Sequence, residues 1–223
     1  MADDELENVD PDDISDLLLK VEKSFDIKFQ NNELMYISTF GELCDHILNK
    51  LQLAHTNDCT SQHAFYKLRN AITSTLQIDH KTISTDLALV SLLPKQSRRS
   101  LVKKLEDNLG FKLNILRPPY WVSLTLTILL LASLVGLFFS WQIGLVGATL
   151  SYSGLCFAHN FGNELDVQTV GQVAKKMTRE NYLKCRRNPN TFNKLEIEKI
   201  LADLSSSDLG IDKSKFAREA KFS

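Results

Sequence analysis

The stretch with the most chemistry in it is His159-Asn160-Phe161-Gly162-Asn163-Glu164-Leu165-Asp166. An imidazole beside two carboxylates is a set of groups able to move protons in acid–base work. It stands just past a long apolar run, where acyl transfer at a membrane surface would need it. Its spacing, however, does not reproduce the His–Asp spacing of acyltransferases. The chain also holds no G-x-S-x-G, no H-E-x-x-H and no Walker loop. The other histidines, His46, His55, His63 and His80, have no paired spacing that would hold a metal. Cys44, Cys59, Cys156 and Cys185 form no C-x-x-C pair and read as reduced thiols. Arg186-Arg187-Asn188-Pro189-Asn190 is a basic turn with no aromatic platform or groove-reading helix, so no nucleic acid is expected as a partner. The chain therefore reads as a non-enzyme, with no catalytic residue, no cofactor and no metal assigned. An enzyme built on His159, Glu164 or Asp166 remains the competing reading.

The elements that would position these groups are organised around Tyr120–Phe157, a run without Asp, Glu, Lys, Arg or His. A membrane helix needs about 20 apolar residues, and this run is close to twice that. The polar break Ser140-Trp141-Gln142 predicts a hairpin of two transmembrane helices, about Tyr120–Phe139 and Trp141–Ala158. In lipid the backbone must satisfy its own hydrogen bonds, which forces helices here. Gly144 with Ala148, and Gly147 with Ser151, are small-residue pairs that let a neighbouring helix approach closely. Arg98, Arg99, Lys103, Lys104, Lys112 and Arg117 precede the hairpin, and Lys175, Lys176 and Arg179 follow it. Both ends are therefore expected on the cytoplasmic side. Trp121 and Trp141 are candidate interfacial anchors; Arg98, Arg99, Lys103, Lys104 and Arg117 are candidate contacts for anionic membrane lipid. The acidic opening of the sequence lacks an apolar signal-peptide core, so the first apolar helix is expected to direct insertion.

Net charge is near zero, with 26 Lys and Arg against 27 Asp and Glu. The acids crowd into residues 1–33, where Asp10, Asp12, Asp13, Asp16 and Glu22 sit among few cations. That face suits a protein partner with a basic patch.

Three patterns occur twice. Val21-Glu22-Lys23-Ser24-Phe25-Asp26-Ile27-Lys28-Phe29 is echoed by Leu105-Glu106-Asp107-Asn108-Leu109-Gly110-Phe111-Lys112-Leu113. Thr39-Phe40-Gly41-Glu42-Leu43 is echoed by Thr169-Val170-Gly171-Gln172-Val173, each with Thr as a helix N-cap. Leu76-Gln77-Ile78-Asp79 is echoed by Leu209-Gly210-Ile211-Asp212, each closing a helix, Ser61–Leu76 and Leu195–Leu204 or a little beyond. Along the chain the helices run middle, final, opening, middle, hairpin, final, opening. One unit is split by the hairpin, and the other is cut at the chain ends.

These patterns resemble the acyl carrier protein family, whose opening helix ends in an LG(I/V)D turn, whose second helix ends in LExxFGIxI and whose last helix begins TVGDL. With the apolar run, which the resemblance does not cover, it implies an all-α fold: two small acyl-carrier-like helical bundles flanking a two-helix transmembrane hairpin. It divides the chain into an acidic tail (1–11), a first module (12–55), a linker (56–60), the first part of a second module (61–116), the hairpin (117–160), the second module's last helix with a linker (161–190), and a C-terminal helix (191–223) that completes the first module. That helix is expected on Leu17, Leu18, Val21, Phe25, Leu43 and Ile47, from its own chain or from a second copy. The family's phosphopantetheine serine falls at Pro11 in the first module and at Lys95 in the second, neither of which has a hydroxyl to modify. The resemblance thus implies an adaptor or scaffold in lipid or polyketide synthesis that keeps the carrier's surface without its covalent chemistry. A true carrier modified at Ser15, Ser97 or Ser100, and a subunit of a membrane enzyme or transporter complex, stay open beside it.

Overall fold

The computed structural model describes residues 5–6, 11–30 and 32–222 and is predominantly helical. Its helices are α1 (Pro11–Phe25), α2 (Phe40–Leu51), α3 (Thr60–Leu76), α4 (Leu89–Leu92), α5 (Arg98–Leu109), α6 (Tyr120–Gly136), α7 (Trp141–Phe161), α8 (Val170–Glu180), α9 (Tyr182–Cys185) and α10 (Lys194–Leu209). Short strand segments tie them: β1 (Glu5–Leu6), β2 (Ala54–His55), β3 (Leu116–Arg117), β4 (Glu164–Leu165), β5 (Thr191–Phe192) and β6 (Lys221–Phe222). The chain divides into two units, Met1–Asn70 with Ala174–Ser223, and Ala71–Val173, so the boundaries fall inside α3 and α8.

In the first unit α10 supplies the helix that α1 and α2 lack. Ile197, Ile200, Leu201 and Leu204 share one buried core with Leu17, Val21 and Phe25 of α1 and with Phe40, Leu43 and Ile47 of α2. Leu18 packs against the same core from a half-buried position. The helix runs beyond Leu204 through Ser205–Leu209, until Gly210 turns left-handed at φ 66°. β1 runs parallel to β6, and β2 parallel to β5.

The recurring patterns make recurring bonds. Glu22 Oε1 accepts the Phe29 N–H at 2.6 Å, and Glu106 Oε1 accepts the Leu113 N–H at 2.8 Å. Each carboxylate thereby closes the turn after its own helix. Thr39 and Glu42 form a reciprocal capping box at the start of α2, and Thr169 and Gln172 repeat it at the start of α8. Asp79 caps one 3-10 turn by accepting the Lys81 N–H, and Asp212 caps the other by accepting that of Ser214. The Phe40 N–H donates to Ala220 O and Gly41 to Arg218 O; the Val170 N–H donates to Leu87 O and Gly171 to Thr85 O. A side chain at Gly41 or Gly171 would meet that backbone oxygen at 2.7 or 2.9 Å, so both glycines are required by the crossing. The sequential order of the parts differs between the units, but the local bonding is the same.

α6 and α7 form the antiparallel hairpin of the second unit. Gly144, Gly147, Ser151 and Gly154 recur at coiled-coil spacing along α7, and three of them meet α6. Added Cβ atoms would reach Leu137 N at 2.6 Å from Gly144, Ser133 Cβ at 3.1 Å from Gly147 and Leu126 Cδ2 at 3.1 Å from Gly154. The helix limits differ from expectation. α6 stops at Gly136, where bonds to the third residue back tighten residues 137–139 into a turn that lies against Gly144, and α7 continues to Phe161. No helix among the described residues is long and apolar enough to cross a membrane. α6 has 17 residues, about 25 Å of rise; α7 has 21 but is diluted by Gln142, His159, Asn160 and its small residues.

Candidate functional site: the base of the apolar hairpin

The hairpin emerges from the second unit through a polar clamp. Its entry and exit are held side by side by the antiparallel pair β3–β4, with Arg117 opposite Glu164. Gly162 passes so close to the entry strand that a Cβ there would lie 2.6 Å from Pro118 N. The turn before α5 and the helix's first residues complete the clamp. Lys95 Nζ donates to Glu164 Oε1 at 2.6 Å, while Asn163 Nδ2 donates back to Lys95 O at 2.8 Å. Arg98 donates from Nε to Leu93 O at 3.0 Å and from Nη1 to Asn163 O at 2.6 Å. Arg99 lies over the Phe161 ring, 4.7 Å from its centroid, and donates to Asn160 O at 3.3 Å.

These contacts settle where the expected surface residues stand. Arg98 is not at the surface: it is 5 % exposed, and its guanidinium is spent on backbone carbonyls that would otherwise be left without donors. Arg99, Lys103, Lys104 and Arg117 are exposed, as are Trp121 and Trp141. Lys95 is an ion-pair partner of the hairpin exit. The acid–base set also resolves into structure. The Lys95 ammonium holds the Glu164 carboxyl below its ordinary range. Asp166 faces Arg117 at 3.9 Å, and His159 is exposed in the last turn of α7. The two carboxylates therefore serve as counter-ions at the hairpin exit.

On α1 the acidic face divides. Asp12, Asp13 and Asp16 are exposed in its first turns, with Leu19, 62 % exposed, one turn beyond Asp16. Glu22 does not belong with them, since its carboxylate closes the helix-end turn. Asp10 lies outside the described residues, and Pro11 begins α1, the place where a missing N–H costs nothing.

A second polar cluster, in the first unit, went unread in the sequence. Arg186 is 1 % exposed. It donates to Thr56 Oγ1 at 2.6 Å, Thr60 Oγ1 at 2.8 Å, Tyr182 OH at 3.0 Å and Thr191 Oγ1 at 3.1 Å, and its Nη1 lies 3.5 Å from Glu196 Oε2. Glu196 in turn accepts the Thr60 N–H at 2.8 Å and caps α3. Burial pushes the Tyr182 hydroxyl's pKa up. The cluster joins the segment before α3 to the segment before α10. The only hint of it was a doubled arginine in a turn, and its partners stand too far along the chain for any local pattern.

Burial pushes the Cys44 and Cys185 thiols up to about 12, which keeps them protonated and unreactive. No group of His, Cys, Asp and Glu among the described residues has the arrangement to hold a metal ion. Comparison of the chain with protein-family models, with curated proteins and with solved structures finds no match.

Proposed function

We propose that this chain is a non-enzymatic, membrane-anchored adaptor. The apolar hairpin enters and leaves a bilayer on one side. Two acyl-carrier-like helical modules stand at that surface, and the first offers its acidic α1 face to a partner with a basic patch. The observation that carries this reading is the outward direction of the hairpin's apolar side chains. Leu124, Ile128, Leu131, Val135, Ile143 and Leu150 are exposed, and Phe138 and Phe139 at the tip are 91 and 89 % exposed. Soluble monomers rarely leave contiguous apolar surface of this extent; where they do, it meets a membrane or another protein. The inward face is filled by α6–α7 contacts over glycine, so the hairpin has nothing left to bury against itself.

Length is the counter-argument, and it is met by geometry. α6 falls about 5 Å short of a hydrocarbon core of about 30 Å. The apolar turn Leu137-Phe138-Phe139 adds to the inserted length, and local thinning of the bilayer takes up the rest at fractions of a kcal/mol per Å. The cationic flanks support a cytoplasmic position for both ends. The adaptor role is supported by paired helix caps and turns that repeat across two units, combined with Pro11 and Lys95 where a carrier would need serine. By that likeness the partner belongs to lipid or polyketide synthesis.

Extraction of membranes with alkaline carbonate tests the anchor. The full chain is expected in the pellet, and a variant with residues 120–161 replaced by a short Gly-Ser link in the supernatant. Release of the full chain would reject the anchor. Incubation with a phosphopantetheinyl transferase followed by intact-mass measurement tests the adaptor role, since a gain of one phosphopantetheine arm would make the chain a carrier.

A further inference from the structure

We infer that the base of the hairpin is a headgroup-level belt selective for anionic phospholipid, built from Arg99, Lys103 and Arg117 with the aromatic side chains of Tyr120, Trp121 and Phe161. The inference rests on the membrane reading above and adds which lipid the anchor seeks and which cations seek it.

Four observations place the belt. Arg99 is stacked on Phe161, the last residue of α7, so its charge sits at the level where the apolar helix ends. Lys103 follows on the same face of α5 one turn on, and is exposed. Arg117 is 61 % exposed at the other strand of the hairpin base and leads through Pro118-Pro119 into α6. Tyr120 and Trp121, 78 and 68 % exposed, open α6 at that level. Amphipathic rings with arginine and lysine beside them are the composition that settles among phosphates and glycerol at a bilayer surface.

The acids nearby do not cancel this charge. Glu164 is paired with Lys95 at 2.6 Å, and Glu106 is spent on the Leu113 N–H. Asp166 lies 3.9 Å from Arg117, a loose pairing that leaves guanidinium donors for another anion. Lys95 and Arg98 hold the hairpin exit and so stand outside the belt. A nucleic acid would meet this cationic surface without the apolar helices beside it, whereas an inserted hairpin brings it to the headgroups. The surface is continuous with the hairpin, which favours lipid.

The test uses the full chain reconstituted into phosphatidylcholine bilayers. The chain has two tryptophans, so Trp141→Phe leaves Trp121 as the sole reporter at the belt. Brominated phosphatidylglycerol and brominated phosphatidylcholine are added at equal mole fraction, and quenching of Trp121 is compared. A cation at an anionic surface is worth about fivefold in association. The phosphatidylglycerol is therefore expected to quench at several-fold lower mole fraction, with the preference weakening in 0.5 M salt. Arg99→Gln with Lys103→Gln is expected to cut the preference at least fivefold while the circular-dichroism spectrum stays helical. Arg117→Gln alone cuts it less. Equal quenching by the two lipids, or an unchanged preference in the double variant, overturns the inference and leaves the anchor standing. Absence of quenching by either lipid rejects the anchor itself.

Discussion

Glu22 and Glu106 occupy equivalent places in the two units and make the same bond, a carboxylate accepting the backbone N–H that follows the helix-end turn. Removing either as Glu22→Ala or Glu106→Ala is expected to cost about 1 kcal/mol, read as matching shifts in chemical-denaturation midpoint. Arg186 is different in kind. Arg186→Met removes the donor shared by the Thr56, Thr60, Tyr182 and Thr191 hydroxyls and leaves half-buried Glu196 without its cation, and is expected to cost about 1–3 kcal/mol. Glu33 supplies a pH signature. Its carboxylate accepts from Lys50 Nζ at 2.6 and 2.7 Å and from the Gln30 N–H at 2.6 Å, which with His46 lowers its pKa from 4.5 to about 2. A carboxyl lowered on folding stabilises the fold fully above its ordinary value and loses that contribution as pH falls through the folded one. The difference in melting temperature between the parent chain and Glu33→Gln should therefore shrink between pH 4.5 and pH 2. At this scale, capping was legible in the sequence because Thr39 and Glu42, or Thr169 and Gln172, stand three residues apart. Arg186 and Arg98 were not. A charge in a sequence shows no partner, and theirs are distant hydroxyls and carbonyls.

Among the elements, α10 and the hairpin carry the arrangement. α10 completes the core over α1 and α2, although it is the last helix of the chain. Its apolar spacing and the bundle's missing helix were both readable, so the pairing followed from the need to bury two incomplete stripes. Ile197→Ala is expected to cost about 2–5 kcal/mol, with loss of hydrogen-exchange protection in Leu17–Leu51 while the interior of Ala71–Val173 keeps its own. Full protection of Leu17–Leu51 in a chain truncated before Thr191 would show that α10 is not needed. The hairpin's glycines were legible as close-approach positions, and the structure adds their partners. The end of α6 was not legible, because the tight turn at residues 137–139 goes with the fit of Leu137 against Gly144. Gly162→Ala would drive a methyl into the Arg117–Pro118 backbone. It is expected to cost about 1–3 kcal/mol and to lower the melting temperature without altering the acidic face of α1.

At the scale of the whole molecule, the proposal assigns one task to each part: the hairpin inserts, its polar clamp fixes the entry and exit strands, and the acidic α1 face recruits. Charge reversal of Asp12, Asp13 and Asp16 to Lys is expected to abolish capture of a basic partner and to leave carbonate-resistant membrane association unchanged. The apolar run and the charge asymmetry were visible in the order of residues, with no fold needed. The opposite fates of Arg98 and Arg99, neighbours in sequence, needed the fold, since one turns under α5 and the other onto Phe161. The claim on which the rest depends is that the hairpin lies in lipid. Trp141 at the hairpin tip reports on it, with Trp121→Phe leaving it as the sole tryptophan. In reconstituted vesicles its fluorescence is expected at short wavelength, protected from iodide added outside and quenched by brominated acyl chains. Emission at long wavelength with free access to iodide and no quenching by lipid would contradict the account.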